Sequence, residues 1–185
     1  MTARKPALIA VDGVAGRAIT AAARRALTSI DRAKRSGISH WDASGVFAEL
    51  AVADAAAGHP SVRTLLLLYA ADLAFRLRWE IRPALAEGRS VVAAPYVDTA
   101  VAFGRAAGIG SEWLANLFQF APRPTERRFV DRTAARAGRG NGFVEFGFAQ
   151  VTKVALGATR AQLVDRMATH LRANARRHGV PAMKV

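Results

Sequence analysis

The chain has 185 residues, 51% of them hydrophobic, and it contains no cysteine. This length and composition predict a single domain over residues 1–185 with an apolar core of its own. The lack of cysteine excludes a disulfide framework, a thiol nucleophile and a cysteine-ligated metal. The N-terminus lacks the apolar stretch of a signal peptide, and no apolar run is long enough to cross a membrane. We therefore expect a cytoplasmic protein.

Basic side chains exceed acidic ones by 13, and the excess is concentrated near the C-terminus. Residues 122–185 hold 13 basic and 4 acidic side chains. A basic face of this kind fits nucleic acid, a phosphorylated ligand or an acidic protein. A solvated arginine-rich surface gives the same count without any such function. Nucleic-acid binding through the C-terminal third is therefore one alternative.

Strands and helices alternate along the chain. Residues 7–11 form a short apolar run, which is typical of a strand buried on both faces of a parallel sheet. Residues 90–94 predict a second strand, and a further strand ends near Asp131. This alternation with helices favours an α/β fold with a parallel sheet and helices on both sides.

The helices are predicted from apolar spacing and from capping residues. A first helix is expected over about 18–34, and a long one over about 61–86, where Pro83 should kink the helix or mark its last turns. Another helix opens at Ser111. The last begins at the capping box formed by Thr159 and Gln162.

The segment after the first strand has the spacing of a phosphate-binding loop. Such a loop reads Gly, four residues, Gly, Lys, then Ser or Thr; its backbone N–H groups surround the phosphates, and its hydroxyl binds magnesium. Here Ala18 replaces the second glycine and Ile19 replaces the lysine. The degenerate phosphate loop comprises Gly13, Gly16, Arg17, Ala18, Ile19 and Thr20.

Three later segments resemble bacterial thymidylate kinase. Residues 66–73 read Leu-Leu-Leu-Tyr-Ala-Ala-Asp-Leu, where that family has Leu-Leu-Phe-Ala-Ala-Asp-Arg. Residues 81–88 match its Ile-Arg-Pro-Ala-Leu-x-x-Gly, and residues 91–103 match its strand ending in Asp-Arg-Tyr and the following x-Asp-Ser-x-x-Ala-Tyr. The resemblance implies a three-layer, P-loop NTPase-like α/β fold, with a parallel sheet flanked by helices, and a homodimer.

The departures from the family pattern fall on charged positions. Ile19 stands where the family has lysine, Leu73 where it has arginine, and Ala94-Pro95 where it has Asp-Arg. The family's arginine-bearing lid is predicted to be shortened here. Its basic residues are Arg132, Arg136 and Arg139.

These losses predict a degenerate family member, a pseudoenzyme without competent phosphoryl transfer that acts as a binding or regulatory scaffold. We accordingly expect no cofactor and no metal. One alternative is a divergent but active dTMP kinase that uses ATP and Mg²⁺, with Arg17 supplying the lost charge.

Four further residues are candidate nucleotide or metal contacts through the resemblance. Asp12 and Asp98 stand at acidic positions that help with magnesium or nucleotide in the family. Tyr69 matches the aromatic that stacks on the base, and Tyr96 keeps the tyrosine of Asp-Arg-Tyr. Each tyrosine is equally consistent with a core position. An apolar helix over residues 46–57 is the predicted dimer contact.

Overall fold

The computed structural model describes residues 5–41, 61–131 and 160–183. The strands are β1 (Leu8–Gly13), β2 (Arg35–Ser39), β3 (Ser90–Ala93), β4 (Glu126–Val130) and β5 (Ala182–Met183). The helices are α1 (Gly16–Thr28), α2 (Val62–Arg76), α3 (Arg82–Ala86), α4 (Val97–Ala106), α5 (Ser111–Phe118) and α6 (Arg160–Arg177). A 3-10 turn spans Arg32–Lys34, and a π-helical turn spans Leu77–Ile81.

The five strands form one parallel sheet in the order β2-β3-β1-β4-β5. All six residues of β1 are buried, because this strand lies at the centre of the sheet and has both faces covered. Ile9 pairs with Val92 on one side and with Glu126 on the other. The predicted α/β fold with a parallel sheet flanked by helices is confirmed. The lid, with Arg132, Arg136 and Arg139, lies outside the described residues, as does the helix predicted over residues 46–57.

The long predicted helix is confirmed as a continuous helical segment from α2 through the π-helical turn into α3. Ser61 caps its start, with its Oγ accepting the backbone N–H of Thr64 at 3.1 Å. Pro83 lies in α3 and cannot donate a backbone hydrogen bond. The wider π-helical turn stands immediately before α3. The proline therefore marks the last turns of the segment, as predicted.

Near the N-terminus, the predicted bounds of the first helix were wrong, and one strand was missed. The first helix begins earlier, at Gly16, and ends earlier, at Thr28, where the hydroxyls of Thr28 and Ser29 donate to carbonyls of its last turn. The strand β2 was not predicted, because Arg-Ser-Gly-Ile-Ser contains one large apolar residue and lacks the run expected of a central strand. It lies at the edge of the sheet, where less apolar surface is required.

The last helix packs on the sheet as the sequence predicted. Leu163, Met167 and Leu171 are buried on one face of α6, which contacts α4 and β4. Thr159 of the predicted capping box lies outside the described residues. Within residues 5–41, 61–131 and 160–183, no helix combines the length and hydropathy needed to span a membrane.

Candidate functional site

The segment that resembles a phosphate loop is helical at the point where such a loop would hold phosphate. α1 begins at Gly16, and the Ile19 N–H donates to the carbonyl of Ala15 at 2.9 Å, as an intrahelical bond. This N–H is therefore already used. Ala15 occupies the N-cap position and has no polar side chain to cap the helix, so the positive end of the helix dipole carries no side-chain cap.

Ile19 fills the place of the loop lysine with a buried apolar side chain. It is 1% exposed and packs over Gly13, where a β-carbon would lie 3.1 Å from Ile19 Cγ1. The same β-carbon would lie 3.0 Å from the carbonyl oxygen of Val130. Gly13 is therefore needed for the close approach of β1, α1 and β4. The position that carries charge in a phosphate loop belongs here to the core.

Arg17 and Thr20 lie on the other side of α1. Both side chains are exposed, whereas Gly16, Ala18 and Ile19 are buried. Residues two apart on a helix do not face each other. Arg17 therefore does not point into the space filled by Ile19, and the proposal that it replaces the lysine is not supported by this geometry.

Asp12, at the end of β1, is buried and holds the start of α4. One carboxylate oxygen, Oδ1, accepts the backbone N–H groups of Tyr96 at 2.9 Å and Thr99 at 3.0 Å, and the Thr99 hydroxyl at 2.7 Å. Burial, with a smaller contribution from the charge of Asp98, raises the pKa of Asp12 to about 7, against the opposing effect of these hydrogen bonds. The carboxylate therefore acts as a helix cap supplied from the sheet.

Asp98 is half-buried and forms an ion pair with Arg127, whose Nη1 lies 2.5 Å from Asp98 Oδ2. Asp12 and Asp98 line the same pocket. Each already has hydrogen-bond or ionic partners. Among the described residues, no group of three or more His, Asp and Glu side chains could hold a metal ion.

Tyr69 and Tyr96 are core residues joined by a hydrogen bond. The Tyr69 hydroxyl donates to the carbonyl of Tyr96 at 2.6 Å, and the Tyr96 hydroxyl donates to the carbonyl of Pro122 at 2.8 Å. Burial raises the pKa of both hydroxyls above its ordinary value. The Tyr69 ring meets Trp41 edge-on, with centroids 4.7 Å apart. The structure therefore supports the core interpretation of both tyrosines.

The sequence patterns did not single out Arg76, the largest fully buried side chain of the described residues. Its Nε donates to Asp72 Oδ2 at 2.7 Å, and its Nη1 to the carbonyl of Pro95 at 3.3 Å. An Asp and an Arg four residues apart on a predicted helix are a recognisable ion-pair signal. A buried cation therefore stands one turn beyond Leu73, in contact with the segment that lost the family's Asp-Arg.

The basic C-terminal third is partly neutralised by ion pairs. Arg127 pairs with Asp98, and Arg128 Nε lies 2.7 Å from Glu126 Oε1. Arg172 binds Asp131 through two hydrogen bonds of 2.9 and 2.7 Å. These pairs reduce the positive potential that nucleic-acid binding would require. The described residues thus give the nucleic-acid alternative no support.

The five-stranded parallel sheet flanked by helices is an α/β fold of the P-loop kinase type. A crystal structure of thymidylate kinase from Ehrlichia chaffeensis matches the fold with a TM-score of 0.64 and 12% sequence identity, over 98% of this chain and 93% of that one. Thymidylate kinase from Xanthomonas euvesicatoria pv. vesicatoria is 34% identical over 125 residues, which are 67% of this chain and 55% of the relative. The chain belongs to the thymidylate kinase family.

A probable thymidylate kinase from Pyrococcus abyssi is 41% identical over 58 residues, which are 31% of this chain and 28% of that protein. The chain thus spans between about a quarter and just over half the length of these curated relatives. No protein-family model matches the sequence.

These comparisons correct the expectation that the protein uses no cofactor. The matched proteins are thymidylate kinases, and kinases of this type normally use ATP and Mg²⁺. The ligands relevant to this site are therefore ATP and Mg²⁺. The residues of the degenerate loop fit a triphosphate poorly, because Ile19 is buried where a lysine would reach the phosphates.

Proposed function

We propose that this chain is a nucleotide-binding member of the thymidylate kinase family with greatly reduced phosphoryl transfer, acting as a binding or regulatory scaffold. The buried Ile19 in place of the loop lysine carries this proposal. Cationic groups that neutralise the transferring phosphoryl oxygens are worth several powers of ten in rate. An isoleucine packed against Gly13 supplies none of that stabilisation.

Two features support retained nucleotide binding. The start of α1 has no side-chain cap and no acidic residue in its first turn, which leaves the positive end of the helix dipole available to an anion. In addition, Arg76 places a buried guanidinium group beside Pro95; it is ion-paired with Asp72, and its Nη2 has no hydrogen-bond partner among the described residues. Binding needs only attraction, whereas transfer also needs a cation placed on the moving phosphoryl group.

The second candidate is a divergent but active dTMP kinase, and the same arginine favours it. Arg76 keeps a cation next to the segment where the family has Asp-Arg. Under this alternative, an unaltered chain turns over dTMP with ATP and Mg²⁺ at a rate typical of kinases. The two candidates therefore differ in turnover and agree in binding.

Isothermal titration calorimetry tests the binding half of the proposal. We expect a measurable dissociation constant for dTMP, and for ATP with Mg²⁺ one that is weaker than in the Xanthomonas thymidylate kinase under identical conditions. The loss of one charge-assisted contact to phosphate predicts about 1.5–3 kcal/mol of weaker ATP binding. A chain that binds neither nucleotide would reject the proposal.

We also propose that the chain forms a homodimer through the outer face of α2 and the π-helical turn that follows it. Leu67, Phe75 and Trp79 are 53%, 61% and 59% exposed on this segment, and the Phe75 and Trp79 rings are 6.4 Å apart. The inner face of α2 is apolar as well, so the helix is hydrophobic nearly all round. Such a helix is typically covered on both sides. A second copy related by a two-fold axis would present the same face.

A further inference from the structure

A cavity of about 530 Å³ lies at the amino ends of the strands, on the edge of the sheet opposite the degenerate phosphate loop. Ala7, Ser90 and Glu126 line it where β1, β3 and β4 begin, and Ser29 lines it where α1 ends. Its volume falls within the range of roughly 300–1,000 Å³ that is usual for small-molecule sites. The cavity is therefore large enough for a ligand of two fused rings.

The floor of this cavity is apolar. Ile9, on the central strand, lines it and is 3% exposed, and the partly buried Ala7 and Ile30 pack against the same core. The Ala7 N–H donates to Ser90 Oγ at 3.0 Å, and the Ala7 carbonyl accepts the Val91 N–H at 3.0 Å. Because these backbone groups already have partners, the floor suits the apolar body of a ligand.

The charged groups around the cavity leave an excess of positive charge. Its three cations exceed its two acids by one. Arg128 and Glu126 neutralise each other, with Nε of the arginine 2.7 Å from Oε1 of the glutamate. Lys5 and Lys34 are exposed and form no ion pair with any other residue that the structure describes. With Asp31 as the remaining acid, the lining is complementary to a single negative charge.

We propose that this cavity binds an organic monocarboxylate, with its apolar body on Ile9 and its carboxylate beside Lys5 and Lys34. A phosphate monoester carries nearly two negative charges at neutral pH and would be repelled by Asp31. A neutral ligand leaves both lysines without a partner. The six residues of β1, roughly 20 Å, separate this site from the phosphate loop, so a nucleotide does not compete for it. The inference is independent of the function proposed above.

A titration followed by backbone amide NMR of the full chain tests this site. The probes are naphthoate, naphthamide and naphthyl phosphate, each substituted at the same ring position, so that only the charge of the head group changes. We expect saturable shifts at Ala7, Ile30 and Ser90, with naphthoate bound at least about threefold more tightly than either other probe. Addition of dTMP should not displace naphthoate.

Substitutions separate the two parts of the site. Lys5→Gln and Lys34→Gln should each reduce the preference for naphthoate over naphthamide by about twofold, as expected for an exposed ion pair. Arg24→Gln, at an exposed cation of α1 outside the lining, should leave the preference unchanged. Ala7→Phe should fill part of the cavity and weaken naphthoate and naphthamide alike.

Circular dichroism reports whether Ala7→Phe folds; the two lysine variants, at exposed positions, keep the inference testable if it does not. Equal affinities for naphthoate and naphthamide would overturn the inference, as would shifts confined to the exposed Phe75 and Trp79. Tighter binding of naphthyl phosphate would assign the cavity to phosphate instead. Displacement of naphthoate by dTMP would make it a nucleotide site, which also overturns the inference. None of these results bears on nucleotide binding at the carboxyl ends of the strands.

Discussion

The carboxylate of Asp12 holds Thr99 by two hydrogen bonds, one from its backbone N–H at 3.0 Å and one from its hydroxyl at 2.7 Å. This contact ties the end of the central strand to the first turn of α4. It also places a carboxyl group in the interior, where burial raises its pKa to about 7. A group that helps with nucleotide or magnesium in the family is here a structural cap with an unusual titration.

We expect the free energy of unfolding to fall as pH rises from about 4, the pKa of an exposed aspartate, to about 7. The pKa is higher in the folded state, so the folded protein binds more protons across this range and loses stability as they dissociate. The loss should reach a few kcal/mol, since one pKa unit is worth about 1.4 kcal/mol.

Asp12→Asn should flatten this pH dependence, because an amide oxygen still accepts from Thr99 but carries no charge. Urea unfolding at about pH 5 and about pH 8 measures how the free energy of unfolding changes with pH. Asp31→Asn, at an exposed carboxylate that caps the 3-10 turn, is the matched control. If the free energy of unfolding depends on pH in Asp12→Asn as it does in the unaltered chain, another group is responsible for that dependence.

Ile19→Lys should lower stability and should not restore phosphoryl transfer. The side chain at this position is buried against Gly13, so an ammonium group there lacks water and a partner, at a cost of several kcal/mol. Ile19→Met conserves volume and should cost less than about 1.5 kcal/mol. Thermal unfolding of both variants measures the difference. Kinase activity in the lysine variant would show that the new ammonium group reaches the nucleotide phosphates, and the prediction would be wrong.

Gly104→Ala should destabilise the packing of α4 on α5 by about 1–3 kcal/mol, the usual cost of overpacking. A β-carbon at this position would lie 2.6 Å from Leu114 Cδ2 and 3.1 Å from Leu66 Cδ1. Gly37→Ala is the matched control, since nothing lies within 4 Å of a β-carbon there. Chemical denaturation compares the two; equal stabilities would mean that Leu114 moves aside without cost.

Phe75→Glu should convert a dimer into a monomer, because it places a charge in the centre of the exposed apolar face of α2. Light scattering at micromolar concentration should give about twice 19.7 kDa for the unaltered chain and 19.7 kDa for the variant. Phe120→Glu, at an exposed aromatic outside that face, should remain dimeric. A monomeric unaltered chain would remove the dimer proposal.

The sequence indicated the fold through patterns that depend on neighbours along the chain. The apolar run of β1 and the helical spacing of α2 predicted elements that the structure confirms, since both patterns reflect burial of whole faces. The edge strand β2 has no such pattern and was missed.

The site was less predictable, because its contacts join distant residues. That Ile19 replaces a lysine could be read directly from the sequence, but not that its side chain packs against Gly13. The cap that Asp12 provides for α4 crosses 87 positions to Thr99. Arg76 carried a local ion-pair signal with Asp72, yet its contact with Pro95 depends on how α2 lies on the sheet.

Turnover of dTMP with ATP and Mg²⁺ distinguishes a nucleotide-binding scaffold from an active kinase. The unaltered chain and the Xanthomonas thymidylate kinase would be compared in a coupled assay of ADP release, at saturating nucleotide so that weak binding does not mask transfer. With Ile19 in place of the cation, we expect a rate at least about a thousandfold below the 1–100 s⁻¹ typical of kinases. A turnover of about 1 s⁻¹ or more would show that the chain is an active kinase and that the loss of the loop lysine does not abolish transfer.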